Sequence, residues 1–259
     1  MATKFFETGH IKNSANLLKY NQFLATLGTT YNPSNSAITT TAFATLHTTA
    51  QAKINAVANA LTNWKNDQNA RETEFDNLTS LSTQLLGALK STGAPQQTIN
   101  DFSSLVGKMR GDAEGKLTKA DAGKLTTSID GNSNTQETNS KSTSQQSFDQ
   151  KIEHFNKMIL LLQSVSSYAP NEVQFQLTTL TAKLATLNIV NDNANNSKSL
   201  LTSSRIDRNL FFYDPSTGIL ELVKQSKEYI KSIFGVKSQQ YKTAQTFKFT
   251  RVVPKKDAK

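Results

Sequence analysis

The sequence predicts an all-α fold, an internally duplicated helical bundle with two units of about four helices each, including one long helix per unit. Three observations predict it. A Tyr-X-Pro element occurs twice, in TTYNP around Tyr31 and in SSYAP around Tyr168, 137 positions apart (168 − 31 = 137). After each element, apolar residues recur mainly at steps of three and four over a long stretch without glycine or proline. A polar segment separates the two copies and holds no large apolar residue over Asp130 to Gln146.

The repeat extends beyond the two tyrosines. At the same offset of 137, three further pairs align: Pro33 with Pro170, Arg71 with Arg208, and Phe75 with Phe212. The register then shifts, because LKSTG at 89–93 matches IKSIFG at 230–235 at an offset of 141 to 142. The second copy therefore holds four or five extra residues, which we place in the turn-type cluster YDPSTG at 213–218. Matches in order with one insertion predict duplication of a unit of roughly 110 residues.

Each copy opens with a helix, predicted over Ile11 to Leu27 in the first copy and over Phe148 to Val165 in the second. The Tyr-X-Pro element ends this helix, because the residue before a proline is pushed out of the helical region. Ser34 or Asn35 in the first copy and Asn171 in the second are N-cap candidates for the next helix.

The next helix is long, about 40 residues or about 60 Å if unbroken. Its predicted buried stripe in the first copy comprises Phe43, Leu46, Ala50, Val57, Leu61, Trp64, Gln68, Arg71, Phe75 and Leu78. Two shorter helices, over Ser80 to Ser91 and Pro95 to Lys108, complete the unit. Gly93 and Gly235 stand where a C-cap glycine belongs.

The predicted organisation is a helical repeat over 1–110, a flexible linker over 111–147 and a second helical repeat over 148–259 with a basic end. The polar stretch in the linker cannot bury enough surface to offset the entropy of ordering. Two separate bundles and one fused bundle with pseudo-twofold symmetry both fit the repeat. With its YNP and YAPNE turns at Tyr31 and Tyr168, the chain resembles a group of uncharacterised bacterial proteins with duplicated helical halves. The resemblance covers most of the chain and implies no activity.

No residue pattern for catalysis, a metal or a cofactor is predicted. The chain has no cysteine, and His10, His47 and His154 lie far apart without ligand spacing. The phosphate-binding loops GXGXXG and GXXXXGK[ST] are missing, as are HEXXH and GXSXG. A non-enzymatic protein is therefore the first interpretation.

Positive charge is concentrated near the C-terminus. The net charge is +9 overall, and the part from Lys224 onward holds 10 basic and 2 acidic residues, or +8. Candidate polyanion-binding residues are Lys224, Lys227, Lys231, Lys237, Lys242, Lys248, Arg251, Lys255 and Lys256. Phe247 and Phe249 alternate in the closing TFKFTRVVPKK, which predicts an extended segment. This end could bind nucleic acid, anionic lipid or an acidic protein, or could simply be a solvated face.

Arg71 and Arg208 occupy equivalent positions on the stripes of the two long helices. A guanidinium group on an apolar stripe loses water, which is costly unless its donors are paired. Glu7 is a candidate partner in the first copy, and Asp149 or Glu153 in the second. Either each arginine pins its helix within its own copy, or the two flank an anionic site on a pseudo-twofold axis.

Three functions are compatible with these patterns. The first is a structural or interaction protein that binds other proteins or copies of itself; the second binds nucleic acid through the basic end; the third is a membrane-active bundle. The longest apolar run, Met158 to Leu162, is far too short to span a bilayer, although peripheral membrane contact stays open. The N-terminal stretch lacks the apolar core of a signal peptide, which favours a cytoplasmic location or export by a non-Sec route.

Overall fold

The computed structural model describes residues 8–111 and 146–252. Within these residues there are eight α-helices, three short 3₁₀ helices and no strand, so the all-α prediction is confirmed. The α-helices are α1 Thr8–Thr26, α2 Thr40–Asp76, α3 Leu78–Ser91, α4 Gln96–Arg110, α5 Phe148–Ser164, α6 Leu177–Tyr213, α7 Ile219–Phe234 and α8 Gln239–Thr246. The predicted linker, apart from its ends, lies outside the described residues, as do Glu7, Lys255 and Lys256.

The two long helices, α2 and α6, each contain 37 residues and begin 137 positions apart (177 − 40 = 137). Only Asn77 separates α2 from α3, whereas five residues, 214–218, separate α6 from α7. The difference of four residues (5 − 1) falls where the sequence places the insertion. Asp214 closes this longer turn, because its Oδ1 accepts hydrogen bonds from the backbone N–H groups of Ser216 and Thr217 at 2.9 and 2.8 Å.

The tyrosines of both Tyr-X-Pro elements make the same hydrogen bond from the side-chain hydroxyl to a backbone carbonyl. The Tyr31 hydroxyl donates to the carbonyl of Ile38 at 2.5 Å, and the Tyr168 hydroxyl donates to the carbonyl of Phe175 at 2.9 Å. Each acceptor lies seven residues downstream, at the end of a 3₁₀ helix (Ser36–Ile38 or Val173–Phe175) that leads into the long helix. The tyrosine thus folds the loop back on itself. The prediction that Tyr-X-Pro ends the opening helix is wrong, because α1 ends at Thr26 and α5 at Ser164, several residues before Pro33 and Pro170, and a proline restricts only the residue directly before it.

The helix caps differ in part from the predicted ones. Asn35 caps the 3₁₀ helix by accepting from the N–H of Ala37 at 3.0 Å, but the first turn of α2 is capped by Thr39, whose Oγ1 accepts from the N–H of Ala42 at 3.2 Å. The prediction of Asn171 as a cap is wrong, because the N-cap position of the second 3₁₀ helix is Glu172 and its side chain makes no capping bond. The intervening 3₁₀ turn moves the start of each long helix downstream of the polar residues that follow the proline.

The chain forms two compact units. The terminal unit comprises Met1–Asn66 with Asn196–Lys259, and the central unit comprises Asp67–Asn195. Among the described residues, the terminal unit contains α1, the first part of α2, the last part of α6, α7 and α8. The central unit contains the last part of α2, α3, α4, α5 and the first part of α6. Each unit therefore takes helices from both halves of the sequence.

Each unit has its own apolar core. The largest fully buried side chains of the terminal core are Tyr20, Phe43, Phe212, Leu17 and Leu24. Those of the central core are Phe102, Phe155, Leu78, Leu85, Leu89, Met109 and Met158. All ten residues of the predicted α2 stripe are buried or half-buried, which confirms that periodicity identified the inward face. An ion pair also joins α2 to α6 within each unit, Lys53 with Asp207 in the terminal unit and Lys183 with Glu74 in the central unit.

Candidate functional site

Arg71 is tied into the central unit by polar and aromatic contacts. Its Nη1 donates to Oδ1 of Asn191 at 3.2 Å, and Nδ2 of Asn191 donates to Oδ1 of Asp149 at 2.7 Å. The guanidinium carbon lies 4.0 Å from the centroid of the Phe148 ring, and that ring makes an edge contact with Phe75 at 4.9 Å. Asp149 is thereby linked to Arg71 through an asparagine. These contacts place Arg71 at the junction of α2, α5 and α6.

Arg208 lies in the terminal unit, where its side chain is buried. Its Nε and Nη2 both donate to Oδ1 of the neighbouring Asn209, at 3.3 and 3.1 Å. The pKa of His10 is lowered to about 4, first by burial and then by the positive charge of Arg208. The two arginines thus occupy different units and different surroundings. A shared anionic site stays a prediction.

Three of the candidate polyanion-binding residues, Lys224, Lys227 and Lys231, lie on α7, but their environments differ. Lys224 and Lys231 are paired with Glu221 and Glu228 one turn away, at 3.4 and 3.0 Å. Lys227 is half-buried, and its Nζ donates to the backbone carbonyl of Phe247 at 2.7 Å. Burial, followed by the nearby charge of Lys248, lowers the pKa of Lys227. Lys227 therefore fixes the backbone at Phe247, and its part in polyanion binding stays a prediction.

The remaining described candidates are exposed: Lys237, Lys242, Lys248 and Arg251. Arg251 approaches the face of Tyr213, with its guanidinium carbon 5.8 Å from the ring centroid. These side chains make no ion pair with another described residue. They form the part of the basic end that is open to solvent.

The closing segment, residues 247–252, follows α8 without regular secondary structure and is held by side chains of other helices. The Asn13 amide bonds both backbone groups of Thr250: Nδ2 donates to its carbonyl at 2.8 Å and Oδ1 accepts from its N–H at 3.1 Å. Nδ2 of Asn16, one turn further on α1, donates to the carbonyl of Lys248 at 2.7 Å. The N–H of Val252 donates to the Tyr213 hydroxyl at 3.2 Å. Sequence periodicity predicted the extended segment but gave no signal for the asparagines that bind it.

Aromatic rings line the groove under this segment. The ring of Phe247 lies 5.5 Å from Tyr20 and 5.7 Å from Phe23, measured between centroids, and Phe249 lies 6.3 Å from Tyr20. Tyr20 also contacts Phe43 edge-on at 5.7 Å. The alternating phenylalanines of the closing segment thus insert into the terminal core while Lys248 between them faces solvent. We call the surface formed by α1 and α7 under residues 247–252 the tail groove.

A buried hydroxyl chain lies beside the tail groove. Oγ of Ser226, on α7, is 2.7 Å from the hydroxyls of both Tyr20 and Tyr31. Because the Tyr31 proton is given to the Ile38 carbonyl, Tyr31 can only accept from Ser226, and Ser226 can only accept from Tyr20. The order of donation is therefore Tyr20 to Ser226 to Tyr31 to Ile38. Burial raises the pKa of Tyr31 to about 12 and that of Tyr20 further, so both stay protonated.

An open pocket of about 630 Å³ lies at the end of α6 in the terminal unit. Its lining residues are Ile206, Asn209, Leu210, Tyr213, Asp214, Pro215, Arg251 and Val252. Two of them, Ile206 and Leu210, are 56% and 58% exposed, and Leu200 on the same helix is 65% exposed. Ile206 and Leu210 are four residues apart, so they lie on one face of α6 and form an exposed apolar patch beside the pocket, whereas Leu200, six residues before Ile206, lies on a different face. We call Ile206 and Leu210 the α6 patch.

Within residues 8–111 and 146–252, no group of three or more histidine or carboxylate side chains is arranged to hold a metal ion. In the same part of the chain, every helix is too short or too polar to cross a bilayer. Comparison with known proteins found no match to a family model, to a curated protein or to a solved structure.

Proposed function

We propose that this chain is a non-enzymatic, internally duplicated structural protein that binds other proteins, including copies of itself. The α6 patch carries the proposal. Two large side chains, Ile206 and Leu210, leave apolar surface in water side by side on one face of α6, next to the open pocket. Burying such surface against a partner is favourable by about 25 cal/mol per Å², and contiguous exposed apolar area is typical of protein contact sites.

The proposed duplication rests on paired features. Both long helices have the same length at an offset of 137, and both Tyr-X-Pro tyrosines bond a carbonyl seven residues downstream. The insertion expected from the shift in register coincides with the longer turn after α6. The resemblance to duplicated bacterial proteins stays a prediction, and it fits the same interpretation.

Size-exclusion chromatography with light scattering tests the proposed self-association. We expect the parent chain to elute above the mass of a monomer in a concentration-dependent way, and the double substitution Ile206→Lys and Leu210→Lys to shift it to monomer. Leu160→Lys is the matched control, because Leu160 is 55% exposed on α5 of the central unit, away from the α6 patch in sequence and unit. A parent that stays monomeric over a hundredfold range of concentration contradicts self-association. Equal mass for the two variants removes the α6 patch from the proposal.

Nucleic-acid binding is the second candidate, and the solvent-open part of the basic end favours it. Lys237, Lys242, Lys248 and Arg251 are exposed without a carboxylate partner among the described residues. Any binding should weaken steeply with salt, because phosphate contacts release condensed counterions. Charge reversal at Lys237 and Lys242 is the direct test, since neither side chain holds the closing segment. The same light-scattering measurement, repeated with duplex DNA and with anionic vesicles, distinguishes these partners from self-association.

A further inference from the structure

The closing segment depends on bonds that any copy of the chain could supply. The backbone bonds that fix Lys248, Thr250 and Val252 go to side chains on α1 and at the end of α6, and the Phe247 carbonyl is held by Lys227 on α7. None of these partners lies within α8 or in the closing segment itself. The tail groove therefore presents a complete binding surface for the segment, whichever chain the segment belongs to.

One short loop, residues 235–238, connects α7 to α8 and the closing segment, and we call it the joint. Gly235, at this joint, has φ of 84° and ψ of 157°, a region that residues with a side chain essentially avoid. Residues 235–237 are all exposed, including the apolar Val236. α8 is only eight residues long, and Ala244 is its one buried residue among those described. The hydrogen bonds at the joint are local: the Gly235 N–H donates to the Lys231 carbonyl at 2.9 Å, and the Ser238 N–H and hydroxyl donate to the Gly235 carbonyl at 3.2 and 2.8 Å. None of them spans the N–Cα bond of Gly235, so residues 236–252 can move as a piece by rotation about that bond.

Release of the segment is also less costly than its half-buried phenylalanines suggest. Lys227 is a half-buried ammonium whose partner is a neutral carbonyl, and Lys248 brings a like charge close to it. Burial, and then the nearby charge of Lys248, disfavours the charged form of Lys227 and lowers its pKa. When the segment leaves, the ammonium regains water and the repulsion ends, which offsets part of the lost contacts.

We propose that copies of this chain exchange residues 236–252, so that the closing segment of one copy occupies the tail groove of another. Such an exchange keeps every hydrogen bond and ring contact of the closed chain, and short joints favour it. The exchange rests on the proposed self-association and names its partner as a second copy. It uses the tail groove, which adjoins the α6 patch at the pocket where Tyr213 and Val252 meet Ile206 and Leu210.

Gly9 on α1 and Val252 give a direct test in a chain that has no cysteine. A Cβ placed on Gly9 would lie 3.7 Å from the Cβ of Val252, within the range of natural disulfides. The single variants Gly9→Cys and Val252→Cys are each purified, mixed and treated with oxidised glutathione, which takes up the two electrons as the disulfide forms. We expect a covalent dimer on a non-reducing gel, at least tenfold more than from Gly9→Cys mixed with Lys237→Cys. Lys237 is the matched control because its side chain is exposed and lies outside the closing segment.

The double variant Gly9→Cys/Val252→Cys in one chain reports whether the sulfurs can meet at all. We expect it to form an internal disulfide when dilute and a growing share of covalent dimer as concentration rises. The exchange is overturned if the double variant forms its internal disulfide while the mixture of single variants gives no more dimer than the control. The docked geometry is overturned if the double variant forms no internal disulfide. Gly235→Ala provides a second test of the exchange. A side chain at this φ strains the backbone of the closed chain, so the variant should raise the fraction of dimer, measured by light scattering, severalfold. If the parent still forms dimers by light scattering while the mixed cysteine variants form no cross-link, the proposed self-association stands and only the exchange is rejected.

Discussion

Ser226→Ala is expected to destabilise the terminal unit through hydrogen bonding, with very little loss of volume. The substitution removes the middle member of the chain from Tyr20 to Ser226 to Tyr31. Tyr20 is then left as a fully buried donor without its acceptor, and Tyr31 loses the donor to its oxygen but keeps its own bond to the Ile38 carbonyl. An unsatisfied buried donor costs about 1–3 kcal/mol, so we expect a loss of about 2 kcal/mol in the free energy of unfolding.

The assay is a double-mutant cycle measured by urea denaturation at pH 7. Tyr20→Phe removes the stranded hydroxyl, so adding it to Ser226→Ala should restore part of the loss, and the two costs should fall short of additivity by about 1 kcal/mol. Tyr168→Phe is the control, because its hydroxyl makes a single bond, to the Phe175 carbonyl, and should cost less than Tyr31→Phe. Strict additivity of the Ser226 and Tyr20 substitutions would refute the hydrogen bond between these two hydroxyls.

Three further predictions concern groups placed in this structure. His10→Phe should abolish a loss of stability in acid. The pKa of His10 is about 4 in the folded protein and about 6.5 in the unfolded chain, so the free energy of unfolding falls as the pH drops below 6.5, by about 2 kcal/mol between pH 7 and pH 5. Urea titrations of parent and variant at pH 7 and pH 5 would disprove this if both proteins lost the same free energy of unfolding between the two pH values. Lys227→Glu should lower the melting temperature by several degrees, because it breaks the bond to the closing segment. Lys224→Glu, on the exposed side of α7, should change the free energy of unfolding by only about 0.5 kcal/mol. Equal melting temperatures for the two variants would contradict the internal role of Lys227. Arg71→Ala should destabilise more than Arg71→Met, since methionine keeps a contact with the Phe148 ring, and denaturation curves with the reverse order would contradict that stacking.

The sequence was sufficient to predict the features that depend on local pattern. Helical periodicity identified the inward face of α2, and the offset of the Tyr-X-Pro elements located the turns before both long helices. Long-range pairing was not predictable in this way, because periodicity shows that a face is buried without showing what covers it. Asn191 bridges Arg71 to Asp149, although the sequence suggested Asp149 as a partner for Arg208. Lys227 looked like one more charge of the basic end, and only its 2.7 Å bond to the Phe247 carbonyl reveals a different role.

The division of helices between the units also sets an order of events during synthesis. The central unit is one continuous stretch, Asp67–Asn195, so all of its residues are synthesised before α7. The helix α1 is synthesised before the central unit, yet the partners that cover Tyr20, namely Ser226, Phe247 and Phe249, are synthesised after it. Since domains fold as they emerge, from the N-terminus onward, α1 must wait with an apolar face uncovered while the central unit completes. The nascent chain therefore passes through a stage in which the apolar face of α1 is uncovered, and the synthesis of α7 and of residues 247–252 ends that exposure.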